Sequence, residues 1–176
     1  MQRSDEELVT VASQGDLAAF GLLYDRYYRL AVGIAHSRLS DRHLAEDAAQ
    51  EAFVVAYRTL ATLKDRKRFP QWLGTICRRT ASRLALARTG SQSLPENLEP
   101  ASDATRARLR LDVREALEHL DELSREMVLL HYFSGLTYEE ISRVQELSPQ
   151  AIHGRLQRAR RKLGKVLNPT PTLGEL

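Results

Sequence analysis

The sequence predicts an all-α fold built as two small helical domains joined by a flexible linker. Three observations carry this expectation. Apolar residues recur at spacings of three and four along most of the 176 residues, the period of helices with one buried face. Ser, Thr or Asp stands at the start of the periodic runs, where a side-chain oxygen can cap a helix. One internal stretch, TGSQSLPENLEPASDAT, carries two prolines, several serines and three acidic residues with no helical period. It divides the chain into residues 1–89, a linker at 90–105, a second domain at 106–167 and a tail at 168–176.

Ser4 and Glu7 have the capping-box spacing, so a short helix opens there, carries Leu8, Val9 and Val11 inward and ends at Gly15. Asp16 caps the next helix, from Leu17 to about Arg38, with Phe20, Leu23, Tyr27, Leu30 and Ile34 on its apolar side. At that spacing the tyrosines at 24, 27 and 28 read as core rather than as a base-stacking platform. Ser40 or Asp41 begins a third helix running to about Leu63, with Leu44, Ala48, Ala52, Val55, Ala56 and Leu60 inward. The segment KDRKR, Lys64 to Arg68, is a basic loop. Phe69-Pro70 then starts a fourth helix with proline in its first turn and Trp72, Leu73, Ile76, Cys77, Thr80, Ala81 and Leu84 inward.

Beyond the linker, Leu109, Leu111, Val113, Leu117 and Leu120 predict one helix, and Ser124 is expected to cap another that carries Met127, Val128, Leu130, His131, Tyr132 and Phe133 as far as Gly135. Thr137 and Glu140 form a second capping box; the helix they open at Tyr138 buries Ile141 and Val144 and stops near Gln145. After a short turn, Ser148 and Pro149 start the last helix, whose Ile152, Leu156, Ala159 and Leu163 make one narrow apolar stripe. The pair is a helix-turn-helix. The tail NPTPTLGEL is not expected to be helical.

Composition narrows the function. With 43% hydrophobic and 28% charged residues the chain is expected to fold. It contains no run of eighteen apolar residues, and MQRSDEEL lacks the apolar core of a signal peptide, so a cytoplasmic location is expected. Cys77 is the single cysteine, which excludes an intrachain disulfide and a cysteine zinc site. The net charge of +3 alternates along the chain: −3 over residues 1–60, +7 over 61–90, −6 over 91–147 and +5 over 148–176. Two basic blocks separated by acidic ones point to two distinct contacts with a polyanion.

Two faces carry those contacts, and a third, acidic face stands apart from them. On the last helix Gln150, His153, Gly154, Gln157, Arg158 and Arg161 lie opposite the apolar stripe, with Arg155, Arg160 and Lys162 on the flanks and no acidic residue between Leu147 and Gly174. Polar residues at the start of such a helix and cations along the rest suit a major groove flanked by phosphates. On the fourth helix Gln71, Thr75, Arg78, Arg79, Ser82 and Arg83 face outward beside the basic loop. Cations that track a backbone next to small polar groups suit single-stranded or melted nucleic acid. The third helix presents His43, Asp47, Gln50, Glu51, Val54 and Arg58, with Glu46 at the edge. That face reads as a solvated surface or as a docking surface for a basic partner helix. A bundle-type carboxylate metal site is disfavoured, because no Glu-x-x-His pair occurs. No cofactor and no metal are expected.

In order and content these pieces resemble the extracytoplasmic-function, or group 4, sigma factors of bacterial RNA polymerase. AFGLLYDRYYRLAVGIA is similar to region 2.1, LAEDAAQEAFVVAYR to region 2.2 and RFPQWLGTICRRTASRL to regions 2.3 and 2.4. LDELSREMVLLHYFSGLTYEEIS followed by LSPQAIHGRLQRARRKL is similar to region 4. The resemblance implies that the first domain docks on the β′ clamp of core polymerase through Asp47, Gln50 and Glu51. It implies that Lys64, Arg66, Lys67, Arg68, Phe69, Gln71, Thr75, Arg78, Arg79, Ser82 and Arg83 capture the melted −10 element. The second domain would sit on the β flap and read the −35 element through Gln150, His153, Gly154, Arg155, Gln157, Arg158 and Arg161, and an anti-sigma partner is expected. The chain departs from the family pattern in the turn, where Gln145-Glu146 replaces the frequent Leu-Gly and predicts altered geometry or backbone strain at one residue. His153 and Gly154 replace the frequent Lys and Ser, and Arg79 the common Asn. A stand-alone regulator using the same helix-turn-helix is the alternative. An all-α enzyme is disfavoured because the five histidines are scattered over different helices with no shared pattern.

Overall fold

A computed structural model of the chain describes residues 3–89 and 112–167. The expected linker and tail, with Leu109 and Leu111, lie outside these residues. All regular structure among the described residues is helical. Helix α1 (Asp5–Ala12) opens on the expected capping box: Ser4 N–H donates to the Glu7 carboxylate at 2.8 Å and Glu7 N–H donates to Ser4 Oγ at 3.2 Å. It stops at Ala12, and a turn closed by Gly15 at φ 101° leads to Asp16, whose carboxylate accepts from Ala19 N–H at 3.0 Å. Helix α2 (Leu17–Leu39) is the longest and runs through the middle of the molecule, packed against α1, α3 and α4. Ser40 ends it in the left-handed region at φ 50°, and Asp41 caps α3 (Arg42–Thr59) by accepting from Leu44 N–H at 2.9 Å.

The inward face of α3 is built from Ala45, Ala48, Ala49, Ala52, Phe53 and Ala56. Val55, expected inside, is exposed, because the stripe through Ala45, Ala48, Ala49, Ala52, Phe53 and Ala56 sets a helix phase that turns it outward, while Phe53 packs against Phe20 and Tyr24. Small residues on α3 bring its axis close to α2 and leave its polar stripe facing outward. A single helical turn (Leu60–Thr62) and a second (Arg66–Arg68), the latter capped by Asp65, link α3 to α4 (Phe69–Thr89). Tyr27 is buried, with Tyr24 and Tyr28 packed beside it, as core residues of α2.

The second unit holds α5, helical over residues 112–118, α6 (Glu122–Val128), α7 (Tyr138–Gln145) and α8 (Pro149–Leu167). Two expectations are corrected there. Val113 is exposed, and α5 turns Ala116 and Leu120 inward. The cap of α6 is Asp121, not Ser124: the Asp121 carboxylate accepts from Ser124 N–H at 2.9 Å and from its hydroxyl at 2.7 Å, a stronger anchor than a hydroxyl alone. Helix α6 widens into a π turn over Leu129–Phe133 before Gly135, at φ 65°, reverses the chain.

The helix-turn-helix has its expected limits, including the Thr137–Glu140 capping box and a Ser148 cap that accepts from Ala151 N–H at 3.2 Å. The strain expected at its turn falls on Glu146, at φ 55° and ψ 33°. A side chain in that conformation costs on the order of 1 kcal/mol that glycine would not. Ile141, Val144, Ile152, Leu156 and Ala159 close the core of this unit.

The two units pack together. The face of α2 and α4 away from α3 receives α6, the π turn and α7. Gly33 marks the closest approach: a Cβ there would lie 2.5 Å from Ser134 Oγ and 2.8 Å from Leu130 Cδ2. The His36 ring stacks on Phe133 with centroids 4.7 Å apart, and Arg29 donates to the Ser134 carbonyl.

Candidate nucleic-acid interface

The exposed face of α8 follows from its narrow apolar stripe. Burying Ile152, Leu156 and Ala159 turns Gln150, His153, Gln157, Arg158 and Arg161 to solvent. His153 is held at the head of this face, its Nδ1 3.4 Å from the Tyr138 hydroxyl and its Nε2 3.0 Å from Gln157 Nε2. Arg158 and Arg161 make no ion pair within the described residues. Gly154 is half-buried, and a Cβ there would meet nothing nearer than Arg158 Nη1 at 3.6 Å, so no close packing demands glycine. Arg155 stands apart from the face. Its guanidinium donates to Asp121 at 3.1 Å and to Ser124 Oγ at 3.3 Å, which ties α8 to the cap of α6.

The second basic face lies on α4 and the loop before it. Lys64, Arg66, Lys67, Arg68, Thr75, Arg79, Ser82 and Arg83 are exposed or half-exposed, with Lys67 3.7 Å from Glu6 and Arg83 paired with Glu51. Phe69 is not on this surface. Its ring is fully buried against Tyr27 and Trp72, with centroids 5.5 and 6.0 Å away, and fixes the start of α4. Gln71 and Arg78, expected outward, are half-buried because α7 lies over them. Between α4 and α7 runs a cleft of about 560 Å³, walled by Arg68, Gln71, Thr75 and Arg78 on one side and Gln145 and Glu146 on the other. The Gln71 side-chain oxygen is buried with no hydrogen-bond partner in the described residues.

Glu126, bonded to Arg78 and Gln145 of the cleft walls, is 2% exposed. Its carboxylate accepts from Arg78 Nη2 at 2.7 Å, from Arg38 Nη1 at 2.9 Å and from Gln145 Nε2 at 2.6 Å. Burial pushes this carboxyl up, but the hydrogen bonds and charges of Arg78 and Arg38 outweigh it and hold the group below its ordinary value. A buried carboxylate stripped of such partners costs about 3–5 kcal/mol, so the three groups act as a unit. Arg68 is likewise bound, to the Glu146 carboxylate, at an exposed site where such a pair contributes about 0–1 kcal/mol. Nothing in the sequence singled out Glu126: it is one glutamate on an amphipathic helix, and its arginine partners are 48 and 88 residues away.

The third face is the outer side of α3. Asp47 and Gln50 are exposed, Glu51 is half-buried beside Arg83, and Val54, 49% exposed, sits in the middle as an apolar contact point. Among the described residues no three His, Cys, Asp or Glu side chains are grouped to hold a metal ion, and no helix is long and apolar enough to cross a membrane. Burial pushes the Cys77 thiol up to about 12, which leaves it unreactive at neutral pH.

Comparison with known proteins places these faces in a family. Residues 23–90 match the model of sigma-70 region 2, and residues 110–163 match that of sigma-70 region 4. The RNA polymerase sigma-H factor of Pseudomonas aeruginosa is 30% identical, with 96% of each chain covered. The chain belongs to the sigma-70 family, among its extracytoplasmic-function sigma factors. The RNA polymerase sigma factor NccH of Alcaligenes xylosoxydans is 32% identical over 93% of this chain and 94% of its own. The extracytoplasmic-function sigma-E factor of Escherichia coli K12 is 28% identical over 96% of each. Among solved structures, CnrH in complex with the cytosolic domain of CnrY superposes with a TM-score of 0.62 and 29% identity, covering 93% of this chain and 96% of that one. The protein is therefore a promoter-specific RNA polymerase sigma factor that binds core polymerase and promoter DNA. The match to region 2 excludes the stand-alone regulator, which has no use for that unit.

Proposed function

We propose that the three faces divide the work of initiation. Asp47, Gln50 and Glu51, with Val54 among them, dock on the β′ clamp of core polymerase. The loop Lys64 to Arg68 and the α4 face of Gln71, Thr75, Arg78, Arg79, Ser82 and Arg83 capture the melted −10 strand, with Phe69 positioning the loop from beneath. Gln150, His153, Gln157, Arg158 and Arg161 of α8 read the −35 element in the major groove while the second unit rests on the β flap. Gly154 leaves room beside Arg158, and Arg155 braces the helix. The units span residues 1–89 and 106–167, and the linker between them sets their spacing on the promoter.

The observation that supports this division most strongly is the separation of two cation-bearing faces onto two units, with an acidic, partly apolar face on a third side. Binding energy does the work, so the chain is a non-enzymatic factor without cofactor or metal, and it acts in the cytoplasm. CnrH is a structural relative solved with the cytosolic domain of CnrY, and a sigma factor of Bartonella quintana that shares the fold was solved with the anti-sigma factor NepR. An anti-sigma partner is accordingly assigned to this chain.

The docking assignment is tested with Asp47→Lys. Reversing an exposed charge at a complementary interface costs several kcal/mol, so affinity for core polymerase falls by about a hundredfold while binding to duplex −35 DNA is unchanged. Unchanged affinity for core would remove Asp47 from the interface.

A further inference from the structure

The exposed face of α8 carries one polar side chain whose orientation is set from inside the protein, and the chain of contacts that sets it starts on α7. Tyr138 is the first residue of α7, next to the Thr137 cap. Its half-buried ring packs against the core between two histidines, 4.9 Å from the His131 ring and 5.5 Å from that of His153. His131 is itself anchored, its Nδ1 donating to the Leu136 carbonyl at 2.8 Å. The Tyr138 hydroxyl lies 3.4 Å from His153 Nδ1, and one turn further along α8 the Gln157 amide nitrogen lies 3.0 Å from His153 Nε2. An amide nitrogen only donates, so Nε2 accepts and the imidazole proton sits on Nδ1, where the Tyr138 oxygen accepts it. Both His153 nitrogens are thereby used within the protein.

Gln157 is left with one N–H and its carbonyl oxygen, on an exposed side chain. That pair is what a glutamine needs to bind adenine, whose N7 accepts and whose N6 amino group donates in the major groove. With the amide turned over, its oxygen would face His153 and N–H groups alone would point outward, an arrangement suited to the acceptors of guanine or thymine. Gly154 clears the approach. It stands three residues before Gln157, and a Cβ there would meet nothing nearer than Arg158 Nη1 at 3.6 Å, so packing does not require glycine, whereas a duplex drawn close to the helix does. Arg158 and Arg161, exposed on the same helix, supply the phosphate contacts that seat it. We infer that Gln157 reads one adenine of the −35 element, and that Tyr138 and His153 are positioning residues that hold its amide in the orientation adenine requires. The inference rests on the −35 reading given above and adds the base that the face selects.

The test uses holoenzyme formed from purified core polymerase and the full chain, with a pool of promoter DNA taken from a run-off start and randomised over its upstream element. The bound fraction is sequenced for the unaltered chain and for Gln157→Ala, Tyr138→Phe and Arg158→Ala, with thermal melting confirming that each variant folds. The unaltered chain is expected to select adenine at one upstream position by about tenfold over the other bases, the discrimination of a bidentate pair. Gln157→Ala abolishes that preference and leaves the other positions as they were. Tyr138→Phe keeps the ring against the core and removes only the oxygen that accepts from His153. It weakens the preference severalfold at the same position, with guanine and thymine gaining, and leaves the slope of log affinity against log salt unchanged. A merely structural role for Tyr138 would lower affinity for every sequence alike. That uniform loss, or selection unchanged by Tyr138→Phe, overturns the positioning role. Selection unchanged by Gln157→Ala, or guanine at the position it controls, overturns the adenine assignment, and the −35 reading stands if Arg158→Ala still weakens upstream binding. No upstream selection at all, with Arg158→Ala binding like the unaltered chain, removes the −35 reading and the inference with it.

Discussion

The two basic faces of this protein differ less in composition than in what surrounds them. On α8, Arg158 and Arg161 project into solvent with no ion-pair partner among the described residues. On α4, Arg78 and Arg83 and the loop residue Arg68 are each already held by a glutamate, from Glu126, Glu51 and Glu146 respectively. The difference teaches that a basic patch read from sequence is a list of donors, and their availability is set by tertiary neighbours. Any ligand of the α4 face must first displace the glutamates that hold Arg68, Arg78 and Arg83.

The largest expected departure between the faces is in salt dependence. Arg158→Ala should lower affinity for promoter duplex and reduce the slope of log affinity against log salt by about 0.9, the share of a single neutralised phosphate. Arg78→Ala should leave that slope unchanged in the free protein, because Glu126 already neutralises its guanidinium. Equal slopes for the two variants would erase the distinction.

A second test sharpens the role of the turn. In an Arg68→Ala background, where the exposed ion pair no longer contributes, Glu146→Gly should raise stability to chemical denaturation by about 1 kcal/mol by relieving the left-handed backbone. A decrease in stability would show that Glu146 sits there without strain.

The smallest effect is on pH. Glu126 is held below its ordinary value of 4.5, so its contribution to stability is complete above that value and fades as pH falls through its lowered one. Burial holds His36 below its ordinary 6.5 against the Phe133 ring, with Asp41, Arg42 and Arg114 as its charged neighbours. The unfolded chain takes up that proton more readily, so stability also weakens as pH drops below 6.5. Stability to chemical denaturation should fall modestly from about pH 7 to about pH 5. A gain in stability on acidification would contradict both assignments.

Features decided within four residues of sequence were legible. The boxes at Ser4–Glu7 and Thr137–Glu140, the cap at Asp16, the Ser148-Pro149 start of α8 and the strain at Glu146 all follow from which groups lie one turn apart. Choices between near neighbours were less so. Asp121 and Ser124 are both good caps three residues apart, and only the geometry shows the first accepting from the second. Val55 and Phe53 lie on opposite sides of α3, and only the helix phase set by the buried alanines decides which of them is inward. What depended on distant residues was not legible at all. The clasp on Glu126 joins positions from three helices in two units, and no periodicity announces it. Phe69 was assigned to the DNA surface by its place in a motif, whereas its buried ring supports that surface from below.

The most direct test of the central claim, that two units of one chain read two promoter elements, is run-off transcription with purified core polymerase, this protein and fragmented DNA of the source genome, with transcript starts sequenced. The account predicts discrete protein-dependent starts that share two spaced upstream elements, and Arg158→Ala should weaken selection of the upstream one alone. Protein-dependent starts with a single shared element, or none at all despite binding to core, would contradict it.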